Sequence, residues 1–142
     1  MIKLINLLES NLNLKAGKIY PKVILELDPK SPFNRTYNIL NDKKQEIGNI
    51  VFKNIDGVDN VVYSIYIEEK FRGQSYAIPI YVEATKILGN ICSGEYNKDG
   101  TPTRFVSKEA DNIWQRLKEI YLVNKIPIQG NKFRYCLDKK NL

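Results

Sequence analysis

Between residues 61 and 88 the spacing of apolar positions changes from two residues to between three and four. Val61, Tyr63, Ile65 and Ile67 alternate with Val62, Ser64, Tyr66 and Glu68, which predicts a strand with one apolar face and a second face carrying phenol and hydroxyl groups. Glu68, Glu69, Lys70 and Phe71 break the alternation, and Arg72, Gly73, Gln74 and Ser75 turn the chain. Ile80, Ala84, Ile87 and Leu88 then recur at helical spacing, so a helix starts just after the Arg-Gly pair.

Upstream, Ile2, Ile5, Leu8 and Leu12 predict an amphipathic helix over residues 2–12, and Leu4 and Leu7 widen its apolar stripe. Polar residues interrupt this stretch and no small-residue cleavage site comes after it, so it does not read as a signal peptide. Residues 22–28, 35–40 and 46–53 read as strands, the last two as a hairpin over a polar turn at residues 41–44. With the strand at Val61 they predict an antiparallel meander. Beyond Gly89, a plausible helix stop, residues 90–93 read as a short strand beside the central one, and residues 94–103 as a loop. Ser107 is placed as an N-cap, with Glu109 and Asp111 in the first turn. Ala110, Ile113, Trp114, Leu117, Ile120 and Tyr121 then mark one helical face. Pro127 and Gly130 break the chain after this helix, and residues 132–137 form a last strand. Without repeats, low-complexity tracts or linkers, residues 1–142 read as a single α+β domain, with a mixed, largely antiparallel central sheet flanked by helices.

Composition narrows the chemistry. There is no histidine and there are only two cysteines, Cys92 and Cys136, neither with a ligand-like neighbour. This removes the usual zinc sites and the Ser-His and Cys-His nucleophile systems. The two thiols are expected to be reduced and buried, as in a cytoplasmic protein, with a disulfide between them as the alternative reading, and no apolar run is long enough to span a bilayer. A net charge of +6 favours a polyanionic ligand, coenzyme A and nucleic acid alike, because the basic residues are spread along the chain.

The turn after the central strand is where an anion fits. A helix start has N–H groups without intrahelical partners, and Arg72, Gly73, Ser75 and Ala77 supply a positive charge, a permissive backbone and short side chains. An ordinary strand-to-helix connection has the same residues. The whole arrangement, however, resembles the GNAT superfamily of acyl-coenzyme A N-acyltransferases. In that family a long strand is followed by Arg/Gln-x-x-Gly-x-Gly/Ala, a loop whose amides hold the cofactor's pyrophosphate. Ile67 matches the strand end, Arg72 the first motif position and Ala77 the last, with Ser75 standing where the family has a glycine. The resemblance covers about residues 20–124. It implies acetyl-CoA or another acyl-CoA as cosubstrate, held by the loop Arg72, Gly73, Gln74, Ser75, Tyr76 and Ala77, with its pantetheine arm along Ile65, Tyr66 and Ile67. The implied reaction is N-acylation of a primary amine on a protein or a small molecule, with the acceptor unspecified.

Amine acylation needs a route for a proton to leave and an acid for the departing thiolate. Glu68 and Glu69 are the candidate bases, with a solvated turn as the alternative reading. The family's acid is commonly a tyrosine in an Ala-x-x-apolar-Tyr pattern. Here Ala110 is followed by Trp114, whose indole does not ionise, which leaves Tyr121 as the candidate acid and Tyr135 as a further substitute. Pro79 is a third departure, harmless if the helix begins near Ala77. Ser75, Trp114 and Pro79 together motivate a competing expectation: a non-catalytic module of the same fold, docking on a protein or nucleic-acid partner. The Lys-, Asn- and Ile-rich composition and small size resemble bacteriophage-encoded proteins. Excess apolar surface on the residue 2–12 helix predicts self-association or a protein partner there.

Overall fold

A computed structural model describes residues 11–31 and 35–142. Helix α1, Asn11–Ala16, leads into β1, Val23–Leu27, followed by β2, Arg35–Asn41, β3, Glu46–Ile55, and β4, Val58–Ile67. Helix α2 is Ala77–Leu88, β5 is Asn90–Cys92 and β6 is Tyr96–Asn97. Helix α3, Lys108–Ile120, precedes β7, Asn124–Ile128, and β8, Lys132–Asp138. The strands form one sheet in the order β1-β2-β3-β4-β5-β8-β6, with β7 also paired to β8. Among the described residues only β4 and β5 run parallel, which makes the sheet mixed and largely antiparallel, with β4 in the interior of its order. Most of the predicted helix at residues 2–12, and with it the expected interface, lies outside the described residues.

The three-strand meander arises as the alternation predicts. In β2 and β3, Tyr37, Ile39, Ile47, Ile50 and Phe52 are buried, and α2 and α3 close over them with Ile80, Tyr81, Ala84, Trp114 and Leu117. In α2, Pro79 falls in the first turn, where its missing N–H breaks no helical bond. Gly89 ends the helix at φ 89°, its N–H donating to the Thr85 carbonyl at 2.9 Å. The Ser107 Oγ caps α3 by accepting from the Ala110 N–H at 3.1 Å, with Glu109 and Asp111 in the first turn as expected.

Four expectations change. The face assigned to Val61, Tyr63, Ile65 and Ile67 is interrupted by a bulge: Ser64 pairs with Val51 and Val62 with Phe52, so Tyr63 is the extra residue. Tyr63 is consequently 59% exposed, whereas Val62, Ile65 and Ile67 pack on the main core. Val61 faces a second, small cluster with Ile55, Val58, Cys92 and Cys136. The two cysteines, expected as reduced thiols, form a disulfide, because the antiparallel register of β5 and β8 sets Cys92 directly opposite Cys136. Residues 124–128 form β7 despite Pro127, since among the described residues β7 is paired only to β8 and its outer side needs no N–H. Finally, the loop at residues 94–103 contains β6, paired to β8 and bridged to Pro102.

Candidate functional site

The parallel contact between β4 and β5 consists of one pair, Val61 with Cys92. After Cys92 the chain turns toward β8, the Ser93 N–H donating to the Tyr135 carbonyl at 2.7 Å. Residues 62–67 of β4 therefore have a strand partner on the β3 side alone among the described residues. A strand edge of this kind presents alternating N–H and C=O groups to whatever enters beside it. The space beside it is a cleft of about 290 Å³, lined on β4 by Val62, Tyr63, Ser64 and Ile65. Across the cleft stand Tyr81 of α2, Val106, and Ser107, Ala110 and Trp114 of α3.

The open edge leads to the turn. At its end the Glu68 N–H donates to the Ile47 carbonyl at 2.8 Å, and a 3-10 turn, Glu69–Phe71, comes next. The Arg72 Nε donates to the Ile67 carbonyl at 2.7 Å, and its guanidinium lies 5.6 Å from the Tyr66 ring centre. This fixes the cation at the join of strand and turn. Gly73 has φ 75° and Ser75 has φ 65°. Ser75 thus adopts the left-handed backbone that glycine supplies most readily, which accounts for its occupying a position where glycine is expected. Tyr76 is next, in the right-handed region, and this alternation is that of a backbone nest for anions. The first main-chain bond of α2 runs from the Ile80 N–H to the Tyr76 carbonyl, so the Ala77 and Ile78 N–H groups lie ahead of the helical ladder. Gln74 is tied to the Lys70 carbonyl at 3.1 Å. A second cation, Lys18, donates to the Ser75 Oγ at 3.1 Å. Sequence reasoning missed Lys18, since 57 residues separate the pair and no local pattern connects them.

The candidate catalytic residues are not brought together. Glu68 is half-buried and Glu69 exposed at the end of β4, and neither lines the cleft. Three residues of strand, about 10 Å, separate Glu68 from Ile65. Tyr121 is the buried C-cap of α3, while the cleft is lined by the first half of that helix. Seven residues of helix put it about 10 Å beyond Trp114. Burial, and then the negative charge of Glu83 and the Tyr20 phenol, push the Tyr121 hydroxyl up to about 12. Tyr135 is buried with its ring stacked on Trp114 at 6.3 Å, and its hydroxyl accepts from Lys118 Nζ at 3.1 Å. Trp114 is a pocket-wall residue, 1% exposed.

A tyrosine that sequence reasoning passed over stands in the cleft wall. Tyr81 meets Trp114 edge-on at 5.7 Å, and its hydroxyl is buried without a hydrogen-bond partner. Burial pushes that phenol well above its ordinary value. Among the other tyrosines, the Tyr96 hydroxyl donates to Asp111 Oδ1 at 2.8 Å. Its proton is held by burial and by the Asp111 carboxylate. Among the described residues no group of His, Cys, Asp and Glu is arranged to hold a metal ion, and no helix is long and apolar enough to cross a membrane.

No family model and no curated protein sequence matches the chain. Solved structures similar in fold include mutant forms of the spermidine/spermine N-acetyltransferase SpeG from Vibrio cholerae, 13% identical, with 78% of this chain and 70% of that chain covered at a TM-score of 0.46. Two chimeras of the Vibrio cholerae spermidine N-acetyltransferase SpeG and hSSAT are also similar. One is 15% identical, covering 79% of this chain and 70% of that chain at a TM-score of 0.46. The other is 14% identical, covering 78% and 69% at a TM-score of 0.47.

Proposed function

We propose that the protein is an acyl-CoA-dependent N-acyltransferase, taking acetyl-CoA or another acyl-CoA as cosubstrate and acylating a primary amine of a protein or small molecule. One observation carries this reading: β4 parts from β5 after Val61, and the edge so exposed leads straight into a cationic turn with free N–H groups. A ligand with an amide-bearing arm and a diphosphate has the complementary shape. Bound there, the cosubstrate supplies an acyl thioester.

The protein's own part divides along β4. Along Ile65, Tyr66 and Ile67, the main-chain groups of Ile65 and Ile67, which face away from β3, pair with the amide-bearing arm. The N–H groups of Gly73, Gln74, Ser75, Tyr76 and Ala77 face the diphosphate, with Arg72 and Lys18 balancing its charge. Nearer the bulge, the main chain around Tyr63 and Ser64 orients the acyl carbonyl, where a fixed N–H stabilises the oxyanion as charge develops. Glu68 takes up the amine proton through water, since its distance from the cleft does not allow direct contact.

Calorimetric titration with acetyl-CoA tests the reading. Saturable binding that is lost in Gly73→Glu, which sets a carboxylate in the turn, is expected. Absence of binding at millimolar ligand refutes it. Turnover with a panel of amines, compared between the wild type and Glu68→Gln, then tests the base, and equal rates remove Glu68 from the mechanism.

A further inference from the structure

We infer that the acceptor is a small-molecule primary amine that also carries a carboxylate or phosphate group, recognised by Lys53 and Arg104 at the rim of the cleft. This names the acceptor for the acyl transfer proposed above and rests on that reading. Two aromatic rings that line the cleft are open to solvent: Tyr63 of β4, 59% exposed, and Phe105 in the loop ahead of α3, 64% exposed. Each carries a cation. The Lys53 Nζ lies 3.4 Å from the Tyr63 ring centre, and the Arg104 guanidinium lies 4.9 Å from that of Phe105. A cation over an aromatic face is attracted by the ring's quadrupole, which holds one positive charge on each wall of the cleft. The β4 bulge, whose extra residue is Tyr63, is what brings that ring and Lys53 with it to the rim.

Neither charge is spent on a neighbour. Among the described residues Lys53 and Arg104 form no ion pair, and no Asp or Glu lines the cleft. The acidic residues adjacent in sequence to lining positions are engaged elsewhere or lie outside the lining. Glu95 faces Lys132 at 3.8 Å and Arg134 at 3.9 Å, and Asp111 accepts from the Tyr96 hydroxyl and the Gln115 amide. Glu109 is exposed in the first turn of α3 and does not line the cleft.

A polyamine entering here would set further positive charges against two cations, with no carboxylate to receive them. An anionic group on the acceptor meets two unpaired cations instead. The cleft, about 290 Å³, has the size of a small ligand's site rather than of a groove for a chain. The same cations favour the neutral form of the acceptor's amine, which is the form that attacks. The anionic group takes no part in the transfer: the amine nitrogen joins the acyl carbon, the carbon–sulfur bond breaks, and amine and thioester become amide and thiol.

Acyl transfer by the full chain to matched amines tests the inference, after titration of the wild type with acetyl-CoA. Failure to bind acetyl-CoA sinks the acyltransferase reading itself. With binding established, kcat/KM is compared for β-alanine against β-alaninamide and for phosphoethanolamine against ethanolamine, with spermidine as a purely cationic acceptor. The anionic member of at least one pair is expected to be favoured by about 10-fold, with spermidine the poorest acceptor, and the pair that responds tells carboxylate from phosphate. Salt at about 1 M should shrink the preference. In Lys53→Gln combined with Arg104→Gln it should fall to within about 3-fold of unity. Both members of a pair are read on one preparation, so partial unfolding of the variant cancels from the ratio. A wild-type ratio near unity, spermidine as the best acceptor, or a preference unchanged in the double variant overturns the inference. Absence of turnover with every amine despite acetyl-CoA binding overturns it too.

Discussion

Gly48 pairs with Ile67 where β3 passes the end of β4. A Cβ added there overlaps the Tyr66 carbonyl oxygen and lies 2.9 Å from its carbonyl carbon and 3.0 Å from the Ile67 Cα. All three are backbone atoms of a paired strand, so no side chain can swing aside. Bringing the carbonyl carbon alone to an ordinary 3.4 Å requires β4 to retreat by about 0.5 Å (3.4 − 2.9), and the oxygen requires more. Overpacking of this kind costs about 3 kcal/mol at the upper end of its usual range. A ladder bond beside the clash, such as the 2.8 Å contact from Glu68 to Ile47, is stretched for about 1 kcal/mol more. Lower entropy of the unfolded chain offsets about 0.7 kcal/mol. Gly48→Ala is thus expected to lose about 3 kcal/mol. In urea, with a slope of about 2 kcal/mol/M, the unfolding midpoint falls by about 1.5 M. Acetyl-CoA affinity falls with it, because the retreat of β4 shifts Ile65 and Ile67, whose main-chain groups face the edge assigned to the cosubstrate. Gly57→Ala is the control: φ is 80°, the space is open, and the cost is about 1 kcal/mol of backbone strain without effect on binding. A Gly48→Ala midpoint within about 0.3 M of wild type refutes the steric argument.

Alkylation in denaturant without reductant is expected to leave Cys92 and Cys136 unlabelled. Cys92→Ala should lose about 4 kcal/mol from a crosslink spanning 44 residues, and labelling of the wild type contradicts the pairing. Stability should fall as pH rises above 10. Tyr81, Tyr96 and Tyr121 keep their protons in the folded protein, Tyr121 up to about 12, while the unfolded chain releases them near 10. Their contribution is complete below pH 10 and fades above it by about 1.4 kcal/mol per pH unit for each tyrosine. Urea titrations between pH 9 and 11 measure the slope, and a flat profile refutes it. Ser107→Ala should cost about 1 kcal/mol from loss of the α3 cap, read as a lower urea midpoint.

Much of the fold was legible because its signals are local. Alternation marked β2, β3 and β4, and the Ser107 cap and Gly89 stop bounded the helices. The bulge at Tyr63 was not legible: it depends on the register between Val51 and Ser64, a relation across strands that spacing along one strand does not carry. Nor was the disulfide, since Cys92 and Cys136 meet through the pairing of β5 with β8. The turn at Arg72 was readable as a candidate anion site, whereas its second cation, Lys18, arrives from a distant segment. Tyr81 was hidden by ordinariness, being one aromatic residue in an apolar helix face, and only burial without a hydrogen-bond partner distinguishes it.

The single pairing of Val61 with Cys92 gives the cleft the mechanics of a lever. From that pivot, β4 extends three residues to Ser64, where the acyl carbonyl is assigned, an arm of about 10 Å. A rotation of about 6° at the pivot moves that point by about 1 Å, the scale at which positioning governs reaction rates. The pivot is clamped by Ile55, Val58 and the Cys92–Cys136 crosslink, none of which lines the cleft. Tolerance at the reacting end is therefore set by side chains that touch neither reactant, and trimming Val58 or Ile55 should change catalysis while leaving every lining residue intact.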